Sequence, residues 1–376
     1  MELTARYVKE KILTDLTRKM VFVGGPRQVG KTTLAENIAE HLGLPHLILN
    51  WDDDQDREKI LKQEFSINRG LLIFDELHKN RRWRNYLKGL YDKRKRDFQI
   101  LVTGSARLDL YRFGGDSLQG RYFYHRLHPL SVKELRITAA DDLLKLLQYS
   151  GFPEPYFQQD LIEKKRWANT YRTRLIKEDL RDLESVTELS AIETLALRLP
   201  ALVGSPLSLN SIREDLQVAH ASVQKWLFVF EKLYYIFKVL PFGAPNIKAV
   251  KKQYKHYHYD WTLGESEGAR FENFIASHLL KWCHYQEDSF GRLLELKYYR
   301  DSEKREVDFV LTEDSKPILF LEVKLSDRNT TDGLVYLKRK YPSVRAAQVV
   351  LKTSERTFDK HGIEVLDALS FLSELV

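Results

Sequence analysis

Apolar residues in this chain gather in short unbroken runs, separated by segments in which they recur every three to four positions. The runs "MVFVGG" (20–25), "HLILN" (46–50), "GLLIFD" (70–75) and "FQILVT" (98–103) are apolar on both pleats. Such runs predict strands covered on both faces, as in a parallel sheet. After the first of them, "TTLAENIAEHLG" carries Leu34, Ile38 and Leu42 at intervals of four and stops at Gly43. That pattern predicts an amphipathic helix. A fifth strand is expected from Tyr122 to Leu127, with a helix beginning near Ser131. The acidic run "WDDDQD", Trp51 to Asp56, reads as a solvated loop, because charge runs usually face water.

Beyond residue 139 the period becomes helical. "DDLLKLLQYS" and "KRWANTYRTRLIKEDLRDLESV" are two helical stretches broken at "GFPEPYF". In "SLNSIREDLQVAHASVQKWLFVFEKLYYIFKVLPF" a cap at Asn210 or Ser211 opens a short helix and "QVAH" turns the chain. The next helix lines up Val223, Leu227, Phe230 and Leu233, and "YYIFKVLPF" alternates as a strand. Two helices followed by a strand make a winged helix-turn-helix pattern. If that element binds DNA, Ser222, Gln224 and Lys225 lie at the start of the helix that enters the groove. Its modest basic charge leaves a packing or partner role equally open. From Asn246 to Trp261, Lys248, Lys251, Lys252 and Lys255 are mixed with aromatics. Either the lysines meet phosphates and the rings stack on bases, or the aromatics form one face of a lysine-rich edge strand. "GARFENFIASHLLKW" then predicts a helix with Phe271, Phe274, Ile275, Leu279 and Trp282 on its apolar side. "LLELKYYRD", "REVDFVLT" and "PILFLEVKLSD" predict further strands.

Composition narrows the class. The 376 residues are 43% hydrophobic and 30% charged, which is the balance of a globular chain of two or three domains. The formal net charge of +7 is mildly basic and compatible with a nucleic-acid partner. Cys283 is the one cysteine, so an internal disulfide framework is excluded. No apolar run approaches a membrane span and "MELTARYVKEKIL" has no signal-peptide core, so no membrane partner and a cytoplasmic location are expected.

The chemistry begins at "GGPRQVGKTT". Gly25, Gly30, Lys31 and Thr32 match the P-loop spacing between a strand and a helix. The glycines let backbone N–H groups wrap phosphates at a helix N-terminus, joined by the following Thr33. Lys31 is expected to reach the β- and γ-phosphates of ATP, and the Thr32 hydroxyl to ligate Mg2+. Asp75 and Glu76 end a central strand, where ligands bind in open α/β sheets. Asp75 is expected to hold the Mg2+ and Glu76 to orient and deprotonate the attacking water. The next strand ends in Thr103-Gly104-Ser105, whose small hydroxyls suit a γ-phosphate sensor or, equally, a structural cap. Near the other end of the chain, Asp308 precedes Glu322-x-Lys324 by fourteen residues. Carboxylates on adjacent strands can share one Mg2+, and the lysine lies on the same strand face as Glu322.

The string "GPRQVGKTT … LIFDELHK … LVTGSAR … GRYFYHRLHPLSVKEL" resembles the AAA-type ATPases of bacteria and archaea that carry a C-terminal domain of formerly unknown function. The resemblance implies a P-loop AAA-type parallel sheet over 1–138, a helical lid over 139–186 and a winged helix over 187–245. Residues 246–376 would then be a restriction-endonuclease-like α/β domain of the PD-(D/E)xK type, making the whole an α/β multidomain ATPase. It implies ATP and Mg2+ as cofactors, and nucleic acid, DNA before RNA, as partner, with a homo-oligomer among the assemblies to expect. It places Ser105 in the sensor position, makes Arg121 a candidate arginine finger or sensor, and makes Arg172, Arg174 and Arg181 candidate second sensors. It carries Glu272, Asp308, Glu322 and Lys324 over as a nuclease-type site, with Val307 where the name-giving proline would stand. An active nuclease and a non-catalytic binding domain both remain open on this pattern.

Overall fold

The computed structural model describes residues 6–104, 118–180, 189–243, 253–326, 329–351 and 356–376, the side chains of 178–180 excepted. The expected positions Ser105, Arg181, Lys248, Lys251 and Lys252 lie outside the described residues. The chain divides into two compact units: residues 1–129 with 288–290, and 130–287 with 291–376.

The first unit is a parallel α/β layer structure. Strands β1 (Met20–Gly24), β2 (His46–Asn50), β3 (Gly70–Asp75), β4 (Phe98–Thr103) and β5 (Tyr122–Arg126) form one sheet in the order β2-β3-β4-β1-β5. Every pairing is parallel. The three central strands are buried almost throughout, as their unbroken apolar runs require. Helices α1 (Lys9–Leu16), α2 (Lys31–Leu42), α3 (Asp54–Lys62) and α4 (Trp83–Arg94) accompany the sheet. Phe22, Leu72, Phe74, Ile100 and Val102 pack with Trp83, Leu87 and Leu90 in one core.

The acidic run corrects one expectation. Asp53 is the N-cap of α3, its carboxylate accepting the Asp56 amide at 2.9 Å, and Asp54 and Asp56 sit in the first turn. Carboxylates there satisfy free amides and meet the positive end of the helix dipole. "WDDDQD" is therefore a helix start and not a solvated loop.

The second unit holds helices α5 (Ala140–Tyr149), α6 (Pro153–Gln158), α7 (Leu161–Arg174), α8 (Leu189–Arg198), α9 (Leu209–Leu216), α10 (His220–Lys232), α11 (Glu267–Phe290) except its last three residues, α12 (Asp332–Lys340) and α13 (Ala368–Ser373). Its mixed sheet has the order β12-β13-β11-β10-β9-β8-β6-β7. The strands are β6 (Ile236–Pro241), β7 (Lys255–His258), β8 (Leu294–Arg300), β9 (Glu306–Glu313), β10 (Lys316–Lys324), β11 (Arg345–Val350), β12 (Thr357–Phe358) and β13 (Glu364–Asp367). Val223, Leu227, Phe230 and Leu233 are buried, as the period of α10 and its C-cap predicts.

Four further expectations change here. The cap of α9 is Ser208, which accepts from the Ser211 amide at 3.3 Å, so the helix opens ahead of Asn210. Residues 132–136 make turns and not a helix, with the Glu134 carboxylate accepting the Ser131 amide at 3.1 Å. The boundary expected at 245/246 separates β6 from β7, which pair antiparallel, while β6 also pairs with β8 through Leu240 and Pro241. Finally, β7 is buried on both faces, so Lys255 is no surface lysine: it is 1% exposed.

Candidate functional site

The P-loop closes between β1 and α2. Gly25 has φ 147° and Gly30 φ 93°, conformations that L side chains rarely adopt. A Cβ on Gly25 would also collide with the Leu127 carbonyl. These two positions therefore need glycine, and Gly30 turns the chain directly into α2, for which it is the N-cap. Lys31 and Thr32 occupy the first turn of that helix with Thr33. The Lys31 ammonium is buried and donates to the carbonyls of Gly25 at 3.2 Å and Pro26 at 2.6 Å.

Strand order brings the acids to this loop. In register, β4 lies between β1 and β3, with Val23 beside Thr103 and Thr103 beside Asp75. Asp75 is buried and receives two hydroxyls: Thr32 donates to Oδ2 at 2.9 Å and Thr103 to Oδ1 at 2.6 Å. Three elements far apart in sequence thus converge on one carboxylate. Thr32 and Asp75 present a hydroxyl and a carboxylate side by side, hard oxygen donors that suit Mg2+. The donor set fits the expected ion.

Glu76 follows with φ 55°, a strained left-handed conformation for a side-chain-bearing residue, fixed by its amide donating to the Thr103 carbonyl at 3.0 Å. Burial pushes its carboxyl pKa up, opposed by the Lys31 charge. His78 Nε2 lies 3.4 Å from Glu76 Oε2. A carboxylate made more basic by desolvation, beside a phosphate cradle, is equipped to accept a proton.

Arg121 is not brought to this group. It precedes β5, and Met20 at the start of β1 is in register with Tyr122, so Arg121 lies at the sheet edge opposite the P-loop. There it pairs with Asp92 at 2.9 Å. A role toward the P-loop of its own chain is thereby corrected. Of the hydroxyls at its strand end, Thr103 donates to Asp75, and Ser105 lies outside the described residues. In the second unit, Arg172 donates to Asn169 at 2.9 Å and Arg174 is exposed.

The C-terminal constellation does assemble, on β7, β9, β10 and α11. Asp308 Oδ2 accepts the Val323 amide at 2.9 Å, and Lys324 Nζ lies 2.5 Å from Glu322 Oε1. Glu272 accepts from the Tyr257 hydroxyl at 2.6 Å. Burial, followed by the neighbouring Asp308 charge, pushes the carboxyls of Glu272 and Glu322 up. The sequence reading missed two members, Lys255 and Glu306. Lys255 Nζ lies 2.6 Å from Glu306, 3.6 Å from Glu272 and 3.8 Å from Asp308. Among the described residues no group of three or more His, Cys, Asp and Glu is arranged to hold a metal ion. The carboxylates here surround an ammonium, so the expected Mg2+ does not fit this site as it stands.

Comparison with known proteins agrees with the first unit. Residues 17–136 match the family described as AAA domain, while 140–266 and 267–371 match two families described as domains of unknown function. An uncharacterized protein of Mycobacterium tuberculosis is 24% identical over 246 residues, covering 65% of this chain and 55% of its own length. One from Methanocaldococcus jannaschii is 24% identical over 299 residues, covering 65% of this chain and 61% of its own length. The chain thus spans less than two thirds of these relatives. Among solved structures, the Thermotoga maritima RuvB Holliday junction branch migration motor is 17% identical, covering 62% of this chain and 88% of its own, with a TM-score of 0.31. The Aeropyrum pernix ORC1 protein in complex with DNA is 11% identical, covering 72% and 94%, with a TM-score of 0.35. No described helix is long and apolar enough to cross a membrane. Residues 17–136 carry an AAA-type, ATPase-like domain.

Proposed function

We propose that the chain is an Mg2+-dependent AAA-type ATPase that spends ATP hydrolysis on nucleic acid, DNA before RNA. The observation that carries the reading is the meeting of Thr32, Asp75 and Thr103 at the mouth of a P-loop, with Glu76 alongside. Lys31 and the loop amides bind the β- and γ-phosphates. Thr32 and Asp75 hold the Mg2+, which neutralises phosphate charge when bound. Glu76 orients water and takes its proton, and Thr103 ties the position of Asp75 to the strand beside the P-loop strand. Arg121, at the far end of the sheet and paired with Asp92, takes no part in the nucleotide site of its own chain.

Two features support the nucleic-acid partner. The helices α9 and α10 with strands β6 and β7 follow winged-helix order, and Gln224 and Lys225 are exposed near the start of α10. In the first unit, a cavity of about 480 Å3 at the N-terminal ends of β1, β3 and β4 is lined by Arg18, Lys19, Arg69, Lys95 and Arg96. Asp97 is the acid among its lining residues, and Arg94 pairs with it at 2.6 Å. Such a basic hollow suits a phosphodiester backbone. The nuclease-like reading of the C-terminal strands is kept as a fold without catalysis, because an internal lysine sits among the carboxylates.

The test is the ATPase rate with and without duplex DNA, single-stranded DNA and RNA. Duplex or single-stranded DNA should raise it, Glu76→Gln should lower kcat by about 10²- to 10⁴-fold, and Lys31→Ala should abolish nucleotide binding. Arg69→Glu combined with Arg96→Glu should remove the DNA effect while the basal rate stays. Turnover indifferent to all three polymers would end the nucleic-acid part, and normal turnover in Glu76→Gln the ATPase part.

A further inference from the structure

Lys255 and Tyr257 point to the same face of β7, because alternate residues share a face of a strand. That face looks onto the carboxylates of the second unit: Tyr257 donates to Glu272, and the Lys255 ammonium is within 4 Å of Glu272, Glu306 and Asp308. Lys255 is 1% exposed, so water cannot solvate its charge, and these carboxylates are what replaces that water. The fourth carboxylate, Glu322, has its own cation in Lys324. Burial alone would pull the Lys255 pKa down. The charges of Glu272, Asp308 and Glu306, in that order, reverse this and hold it above the ordinary lysine value.

A divalent ion bound by Glu272 and Asp308 would have to sit between their oxygens, beside the ammonium that already lies 3.6 Å and 3.8 Å from them. Oxygen ligands hold Mg2+ at about 2.1 Å, so ion and ammonium would be close like charges in a water-poor site. We propose that Lys255 is the resident cation of this cluster, that the native chain takes no Mg2+ or Mn2+ there, and that the cluster becomes a divalent-cation site once the lysine charge is removed. The second unit then uses its carboxylates to anchor β7 against β9 and α11. The inference stands apart from the ATPase reading, because every residue in it belongs to the second unit.

The experiment is Mn2+ binding to the 376-residue, nucleotide-free chain, followed by electron paramagnetic resonance of free Mn2+. Subtracting the isotherm of Asp308→Asn isolates the cluster from any ion held at the P-loop. The native chain and Asp308→Asn should give the same isotherm. Lys255→Met should gain one site, at least tenfold tighter than anything the native chain shows at the cluster, and should lose it again in Lys255→Met with Asp308→Asn. If Lys255→Met does not fold, Lys255→Gln with Glu306→Gln removes one charge of each sign and replaces it. Loss of a native Mn2+ site on Asp308→Asn would overturn the proposal, and so would a folded lysine variant that gains no site.

Discussion

At the scale of single residues, the candidate ATP site turns on how Asp75 is held. Its two oxygens each have a hydroxyl donor, Thr32 and Thr103. Removing one donor from a buried carboxylate costs about 1–3 kcal/mol in the site that loses it. Thr103→Val, similar in shape but without the hydroxyl, should slow ATP hydrolysis by about tenfold or more (1.4 kcal/mol per decade) while nucleotide still binds through Lys31. Equal rates in native and variant chains would remove Thr103 from the site. Most of this site was legible: P-loop spacing, a strand ending in two acids and a hydroxyl-bearing strand end all announce themselves locally. Lys255 did not. Its neighbours alternate lysine, histidine and tyrosine, which reads as an edge strand. β7 does end the sheet, beside β6, but all four of its residues are buried, and the contacts of Lys255 with Glu272 on α11 and with Glu306 and Asp308 on β9 appear only in the fold.

At the scale of elements, unbroken apolar runs gave the parallel strands and a four-residue period gave α2, because burial on two faces or one stripe leaves those signatures in any sequence. Caps were harder to read, since short polar residues suit both helix starts and loops. Asp53 is the example. Its carboxylate holds the Asp56 amide, and the side chains of Asp54 and Asp56 lie by the positive end of α3. Asp53→Ala should lower the stability of the first unit by about 1 kcal/mol, and Asp53→Asn by much less, as read from urea midpoints. Equal losses in the two variants would assign the effect to charge and not to the cap.

At the scale of the whole chain, buried histidines give it a dependence on pH. His278 is fully buried, donates from Nδ1 to the Phe274 carbonyl at 2.8 Å and accepts the Val132 amide at Nε2 at 3.3 Å. Burial is the main reason its pKa falls to about 3, and the nearby Lys281 charge adds to it while Glu134 opposes. His256, buried with Nε2 donating to the Leu199 carbonyl at 3.0 Å, is pulled down to about 4. Both folded-state values lie below the ordinary 6.5, so the unfolded chain binds more protons as the pH drops. Stability should therefore be unaffected by these groups above pH 6.5 and fall below it. The loss approaches about 1.4 kcal/mol per pH unit for each histidine and ends near pH 4 for His256 and pH 3 for His278. Denaturant midpoints at pH 7.5, 6 and 5 measure it, and His278→Gln should shrink the difference by one histidine's share. Midpoints that hold steady from pH 7.5 to 5 would contradict the assignment.

The pairing of β6 with both β7 and β8 bears on how such a chain can be inherited. The family match that ends at residue 266 contains β6 and β7, and the match that begins at 267 contains β8 to β13. One sheet is thus shared between two separately recognised stretches of sequence. Recombination at their seam would leave β8 with a bare edge on one side and β6 on the other, and exposed edges invite aggregation. Lys255 would part from its carboxylates in the same event. A seam there would separate strands that need each other, so a chimera with another ATPase should be joined ahead of α5, where the first of the two stretches begins, and not at the seam.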